Sequence, residues 1–482
     1  MREITTKALE RASALGASYA DIRVIDERRE SIRVKNGNVD NLSSSMSRGL
    51  GVRALYDGAW GFASSSQVDN QEVMAVAERA LAIARASARV KRQRDVELAP
   101  VQPVQATWKT NLEVDPFDVK LEDRMELLLD ADRLMRQQPG IRIASASMSL
   151  FRENKVFAST EGSYIQQERT EVGAGIDATA SSGLEFQRRS YPSSFGGDYA
   201  CAGYEFITGL DLAGHAEAVA REAVALLSAE QCPSGTKDLV LESSQLALQI
   251  HESCGHPIEL DRVLGQEASF AGTSFLTPEK LGDFQYGSDV VNITADATIP
   301  GALGSFGYDD DGVPGQRVTI IDQGKFVNYL TSRETGGELG MAANGTNRAD
   351  GFNRIPIVRM TNINLEPGDW TLDDIIKDTK DGVLMKTNKS WSIDDKRLNF
   401  QFGTEAAYEI KDGSLGKLYK NPTYTGITPE FWGSCDAVAG PAEWRVWGLP
   451  NCGKGEPSQT AHVGHGAAPT RFRNVKVGVG KW

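Results

Sequence analysis

At 482 residues, 40% of them hydrophobic and 24% charged, the chain is too long for one ordinary core, and two domains are expected. A formal charge of −13 excludes a broad basic face, and with it nucleic acid as a partner. No apolar run approaches the roughly 18–20 residues of a membrane helix.

The N-terminus opens directly into an amphipathic helix over residues 3–15, stopped by Gly16, and not into an apolar signal core, so no leader is expected. Alternation of apolar and polar residues predicts strands over 19–25 and 31–34, then a hairpin dipeptide at Asn36-Gly37 and further strands through Tyr56 and Trp60. Asp69 is a plausible N-cap for a helix over 68–86. Residues 96–116 carry three prolines and read as an extended connector. A helix over 121–137 and strands over 141–151, 155–159 and 164–180 follow, then a helix over 211–229. Gly173-Ala174-Gly175-Ile176-Asp177-Ala178 echoes Gly49-Leu50-Gly51-Val52-Arg53-Ala54. This is either a diverged duplication of a sheet-plus-helix unit or a coincidence of strand composition. A boundary near Cys232-Pro233-Ser234-Gly235 gives two domains, 1–232 and 233–482. Beyond it the pattern is mostly β, with candidates at 318–322, 326–331, 357–363, 406–410 and 475–479 and one helix near 372–377. Short strands with frequent turns predict a barrel or strongly curved sheet. The expected fold class is α+β. Five scattered cysteines, 201, 232, 254, 435 and 452, do not make a disulfide framework, and a reducing cytoplasm is the expected location.

The chemistry concentrates in His251-Glu252-Ser253-Cys254-Gly255-His256, which holds two of the five histidines. By chance such a pattern arises in a chain this poor in histidine on the order of a few times in a thousand. At about 100° per residue, a spacing of five places the two imidazoles roughly 140° apart on an α-helix. They can share one metal only if the turn widens into a π-bulge. Gly255 is expected to ease that distortion, and Ser243 or Ser244 to cap the preceding helix. Glu252, beside the first ligand, is then placed to take a proton from a water that the metal acidifies.

A catalytic zinc site takes three protein ligands and leaves one position for water, so a third ligand is needed. The residues alone leave it open. Cys254 lies awkwardly between the histidines; Glu259 and Asp261 can bind the metal or orient a histidine. Cys452 stands in a glycine-rich loop, with His462 and His465 just beyond. The acidic run Asp309-Asp310-Asp311-Gly312 lacks the spacing and terminal glutamate of a calcium loop and reads as a turn.

Several of these segments together resemble the TldD/PmbA metallopeptidases, on the side that keeps the metal motif. The resemblance runs through His251-Glu252-x-x-Gly255-His256-x-x-Glu259-x-Asp261, Asp309 to Pro314, Asn347-Arg348, Arg359-x-Thr361-Asn362, Phe402, Glu405, Tyr408 and Cys452-Gly453-Lys454. It implies His251, His256 and Cys452 as ligands of Zn2+ and Glu252 as general base. It also implies a peptide substrate, short or unfolded, and assembly with a PmbA-type partner lacking the motif, a homodimer being the alternative. The segment 448–465 is richer in histidine than the family pattern, which leaves His462 and His465 as further contacts to substrate or metal. Two other readings stand beside this one. The first is a non-enzymatic modulator acting on a partner protein, a description TldD-like proteins have carried. The second is a closed structural zinc with Cys254 or another histidine as fourth ligand.

Overall fold

The computed structural model describes residues 1–91 and 94–480. It is a mixed α+β structure, and its first half is organised by one long sheet. The strands run Ala59–Ser65, Asn38–Tyr56, Tyr19–Lys35, Ile141–Ser159, Tyr164–Ser182 and Gln105–Lys109, with Glu185–Tyr191 and Asp198–Ala200 added onto Tyr164–Ser182. Tyr19–Lys35 is a single strand where the alternation predicts two. Its charged middle, Asp26 to Glu30, stays extended because both neighbours supply a full ladder and because Arg28, Arg29 and Arg124 pair with Glu27 and Glu30. Within the expected connector, Gln105–Lys109 pairs in parallel with Tyr164–Glu168.

Helices cover this sheet, among them Arg2–Ala14, which buries Ala8 and Ala12. Asn70–Val90 begins at Asp69, whose carboxylate accepts from Gln71 N and Glu72 N, and it buries Val73, Val76, Ala77 and Ala80 on Ile22, Val24 and Val52. Leu121–Arg136 and Leu212–Ser228 bury Leu128, Ala131, Met135, Ala216 and Ala220 on Val34, Met148, Val172 and Ala174. Apolar positions at helical spacing on one side, and alternate positions of the strands on the other, form these two cores.

The second half closes into a five-stranded barrel. Its strands run Asp381–Ile393, Gly235–Leu241, Thr470–Val479, Pro422–Ile427 and Asn399–Lys411, the last pairing back onto the first. Most of the hairpin Asp381–Ile393/Asn399–Lys411 escapes the apolar pattern, because Lys386 to Ser390 are polar and bulged. The expected strand over 326–331 is ladder only at Lys325–Phe326; beyond it Leu330 N donates to Ile258 O and Thr331 N to Asn344 Oδ1. Phe400, Phe402, Tyr424, Phe431 and Phe472 fill the barrel, with Phe431 and Phe472 stacked at 4.0 Å. Trp432, wholly buried, donates its indole N–H to Ser253 Oγ at 2.9 Å, so the aromatic core props up the histidine motif from below.

The two halves meet at the acidic turn. The Asp309 carboxylate accepts from the backbone N–H groups of Asp311, Val313 and Asn347 and shapes the turn. Asp310 receives Lys155 at 2.8 Å, and Asp311 receives Arg53 at 2.8 Å, both cations coming from the first sheet. A second contact joins Glu171 of that sheet, itself paired with Arg169 of the same strand, to His462. Burial pushes both Asp310 and Glu171 up. Lys155 and Arg23 outweigh it at Asp310, Arg169 and His462 at Glu171, and each carboxyl ends at about 2. A carboxyl depressed in the folded state stabilises it fully above the unfolded value near 4, and that contribution fades as pH falls towards 2. Urea midpoints should therefore drop between about pH 5 and 2, and Asp310→Asn or Glu171→Gln should flatten that limb, each removing on the order of 2 kcal/mol of pH-dependent stability.

Candidate metal centre

The helix Ser243–Ile250 is buried along its whole length. Its cap is Glu242, whose carboxylate accepts from Ser244 N at 3.1 Å, and neither of the two serines serves as cap. The helix runs into a π-turn, His251–Gly255, closed by His256 N donating to His251 O. The wider turn offsets the fifth-residue spacing and brings the two imidazoles to 4.8 Å between centroids, their planes 85° apart. Gly255 has ordinary right-handed angles (φ −66, ψ −62), so backbone freedom is not why it is glycine. A Cβ there would stand 2.2 Å from Met360 Sδ; glycine lets Met360 pack beneath the turn. Cys254 is turned into the core, 3.0 Å from the Tyr286 hydroxyl, and burial pushes its thiol up to about 12. It has the character of a small buried apolar side chain.

Cys452 arrives from far downstream. It sits in the ribbon Arg445–Lys454/Gln459–Ala467, opposite Ala461 and just after a bulge that follows Leu449. One ligand atom each from His251, His256 and Cys452 lie within 4.8 Å of one another, all three side chains buried. The Arg359 guanidinium holds the ribbon by donating to Cys452 O and Gln459 O. Burial opposes ionisation of the Cys452 thiol, the Arg359 guanidinium favours it, and the thiol lies below its ordinary value.

Both imidazoles are oriented from outside. His256 Nδ1 donates to Glu259 Oε2 at 2.9 Å, and Lys454 stands between Glu259 and Asp261, 2.6 Å from the latter. His251 Nδ1 meets His465 Nε2 at 2.8 Å, and His465 Nδ1 faces Ile363 O at 3.3 Å. A carbonyl can only accept, so His465 carries its proton on Nδ1 and accepts from His251. The Nε2 lone pair of His251 then remains free, as does that of His256. Burial brings His251 down to about 4 and His256 well below its ordinary value, so both are neutral at pH 7. His462, three residues from His465, points to the opposite face of the strand, as period-two alternation requires, and contacts Glu171 and Phe151.

Glu252 is buried beside the first histidine, and its Oε2 accepts from Arg397 Nη1 at 2.5 Å. Arg397 stands in the turn between Asp381–Ile393 and Asn399–Lys411. Sequence reasoning missed Arg397, and it met Arg359 only within the resemblance, with no role at the site. Each reaches the site only through the closure of the barrel and the crossing of the ribbon.

Two neutral imidazoles and a thiol held towards thiolate, all in one buried cluster, suit a borderline-soft divalent cation with room left for water. Three protein donors with a fourth position open are the pattern of catalytic metal sites. The chain belongs to the PmbA/TldD metallopeptidase family: the family's C-terminal domain matches residues 234–479, its first domain residues 20–84 and its central domain residues 114–227. A metalloprotease of Methanocaldococcus jannaschii is 32% identical over 94% of this chain and 95% of its own. A relative from Saccharolobus solfataricus named a zinc metalloprotease TldD homolog is 20% identical over 98% of this chain and 99% of its own. Among solved structures, TldE from Thermococcus kodakarensis shares the fold with a TM-score of 0.76 at 15% identity, over 98% of this chain and all of that one. A Thermotoga maritima protein described as a candidate modulator of a DNA gyrase does so with a TM-score of 0.78 at 18% identity, over 99% of both chains.

Proposed function

We propose that this protein is a zinc-dependent peptidase acting on short or unfolded peptides, with His251, His256 and Cys452 as the metal ligands and Glu252 as the general base. The observation that carries the reading is the arrival of Cys452, from nearly 200 positions downstream, beside two imidazoles whose outer nitrogens are already engaged. Zinc held there would polarise the scissile carbonyl and lower the pKa of a water. The chain itself does the rest. Glu259, backed by Lys454, holds His256; His465 holds His251; Glu252 takes the proton from water at a carboxylate oxygen and passes it to the leaving amine. In this reading residues 233–482 are the metal-bearing unit and 1–232 the unit that flanks it.

The expected result is hydrolysis of an unstructured peptide by zinc-loaded protein, its loss after dialysis against a chelator, and its return with added zinc. Hydrolysis unaffected by chelation would end the proposal. The shared fold with TldE supports assembly with a partner of the same fold that lacks the motif, and unbridged, buried cysteines support a cytoplasmic location. The gyrase-modulator description of a structural relative favours the second reading, a non-enzymatic binding protein. A biological effect that survives Glu252→Gln undiminished would select that reading.

A further inference from the structure

The strand Asn38–Tyr56 has two neighbours of unequal length. Tyr19–Lys35 pairs along nearly all of one side, whereas Ala59–Ser65 covers only Leu50 to Tyr56 on the other. From Asn38 to Arg48 the outer edge pairs with no strand among the described residues, and every residue there is exposed. Such an edge is a row of open N–H and C=O groups, a template for another strand, and proteins normally blunt it with brevity, charge, proline or a bulge. The sheet's other margins follow that rule. Gln105–Lys109 is 5 residues long and ends on a lysine, and Glu185–Tyr191 carries Glu185, Arg188 and Arg189. Asn41-Leu42-Ser43-Ser44-Ser45-Met46-Ser47 has neither charge nor proline, and the one irregularity in its pairing lies beyond it, level with Arg33 and Val34.

The same edge presents apolar side chains to solvent. Leu42 is 53% exposed, Met46 78% and Val39 41%. Leu42 stands opposite Ile32 and Val39 opposite Val34, and both of those partners belong to the core beneath the helices Leu121–Arg136 and Leu212–Ser228. Residues directly opposite share a face of the sheet. The exposed stripe is therefore the margin of that core, left open at the outer strand.

We propose that Asn38–Arg48 joins two copies of this chain, edge to edge and antiparallel, across a twofold axis through Ser44. With Ser44 opposite its own copy, Leu42 of each chain faces Met46 of the other, Ser43 faces Ser45 and Asn41 faces Ser47. Asp40 comes level with Arg48, the single acid with the single base of the segment. Within one chain each has only a loose, half-exposed partner, Arg33 at 3.6 Å and Asp26 at 4.0 Å, and such pairs contribute little. A slip of two residues sets Leu42 against Ser44 and Met46 against Asp40, or Leu42 against Arg48 and Met46 against Ser44. A slip of one sends the two apolar stripes to opposite faces. One register satisfies the apolar pattern and the charges together, and an isologous contact is the form a self-complementary patch takes. The inference does not rest on the peptidase reading.

Sedimentation of the parent over about 1–100 μM should show a monomer–dimer equilibrium. Leu42→Glu and Met46→Lys should each weaken it about 10-fold or more, since each spoils both apolar cross-strand pairs. The double variant Leu42→Glu/Met46→Lys sets opposite charges across both pairs and should dimerise to within about threefold of the parent. Ser44→Cys should cross-link to its own copy on mild oxidation. Opposed residues of an antiparallel pair lie about 4.5–5.5 Å apart, within disulfide reach, and the native cysteines are buried. Ser43→Cys, opposite Ser45, should not cross-link. All four positions are exposed, so the variants alter association and leave folding intact. A parent that stays monomeric throughout the range would overturn the proposal. So would a dimer indifferent to both single variants, a double variant as weak as either single one, or Ser43→Cys cross-linking as readily as Ser44→Cys.

Discussion

Glu252→Gln should lower kcat on an unstructured peptide by about 10²- to 10⁴-fold while zinc content and thermal midpoint stay near those of the parent. The amide is isosteric with the carboxylate and can still meet Arg397, although as a neutral acceptor, so the buried pocket keeps its shape. What it loses is the ability to take a proton from water. Glu252 is adjacent to His251 but belongs to no orienting pair around either imidazole, since those are made by His465 and Glu259. Metal affinity and catalysis should therefore separate cleanly in this variant. Residual hydrolysis within threefold of the parent would remove Glu252 from the reaction.

Cys452→Ala should bring zinc from about one per chain to well under half at micromolar protein, with the barrel still folded. On the proposed reading the thiol is one of three donors, and its loss leaves two imidazoles and water, a set that rarely holds zinc against dialysis. Each nearby carboxylate already holds a neighbour through one oxygen, although Glu259 Oε1 is without a hydrogen-bond partner. Glu259 is committed to His256 and Lys454, and Asp261 to Lys454 and Val358 N. The replacement is small to smaller in a well-packed ribbon, so a modest loss of stability, about 1 kcal/mol, should accompany it. Full zinc retention would require another donor, and elemental analysis of the dialysed variant decides the matter.

The legible parts of the molecule are those where local pattern and tertiary need agree. Helix spacing at Val73, Val76, Ala77 and Ala80, the cap at Asp69 and the hairpin at Asn36-Gly37 all read directly from sequence. The five-residue spacing of the histidines implied the wider turn, because only a π-turn brings both rings to one side. Where the reading went astray, a distant neighbour had the larger say. Gly255 answers to Met360, more than a hundred residues away, and not to its own backbone. The charged middle of Tyr19–Lys35 is held as strand by ladders on both edges, which no local alternation records. His462 and His465 look equivalent in the sequence, yet the pleat sends His465 to His251 and His462 to Glu171. Arg397 was invisible for a related reason: its role depends on a barrel hairpin whose polar strands hide from the hydrophobic pattern.

The central claim is an open zinc site made by two imidazoles and one remote thiolate. X-ray absorption at the zinc edge of the zinc-loaded parent tests it most directly. The account predicts one sulfur scatterer at about 2.3 Å with two imidazole nitrogens and one further light atom at about 2.0–2.1 Å. No sulfur in the first shell, or a second sulfur or third imidazole filling the water position, would contradict it.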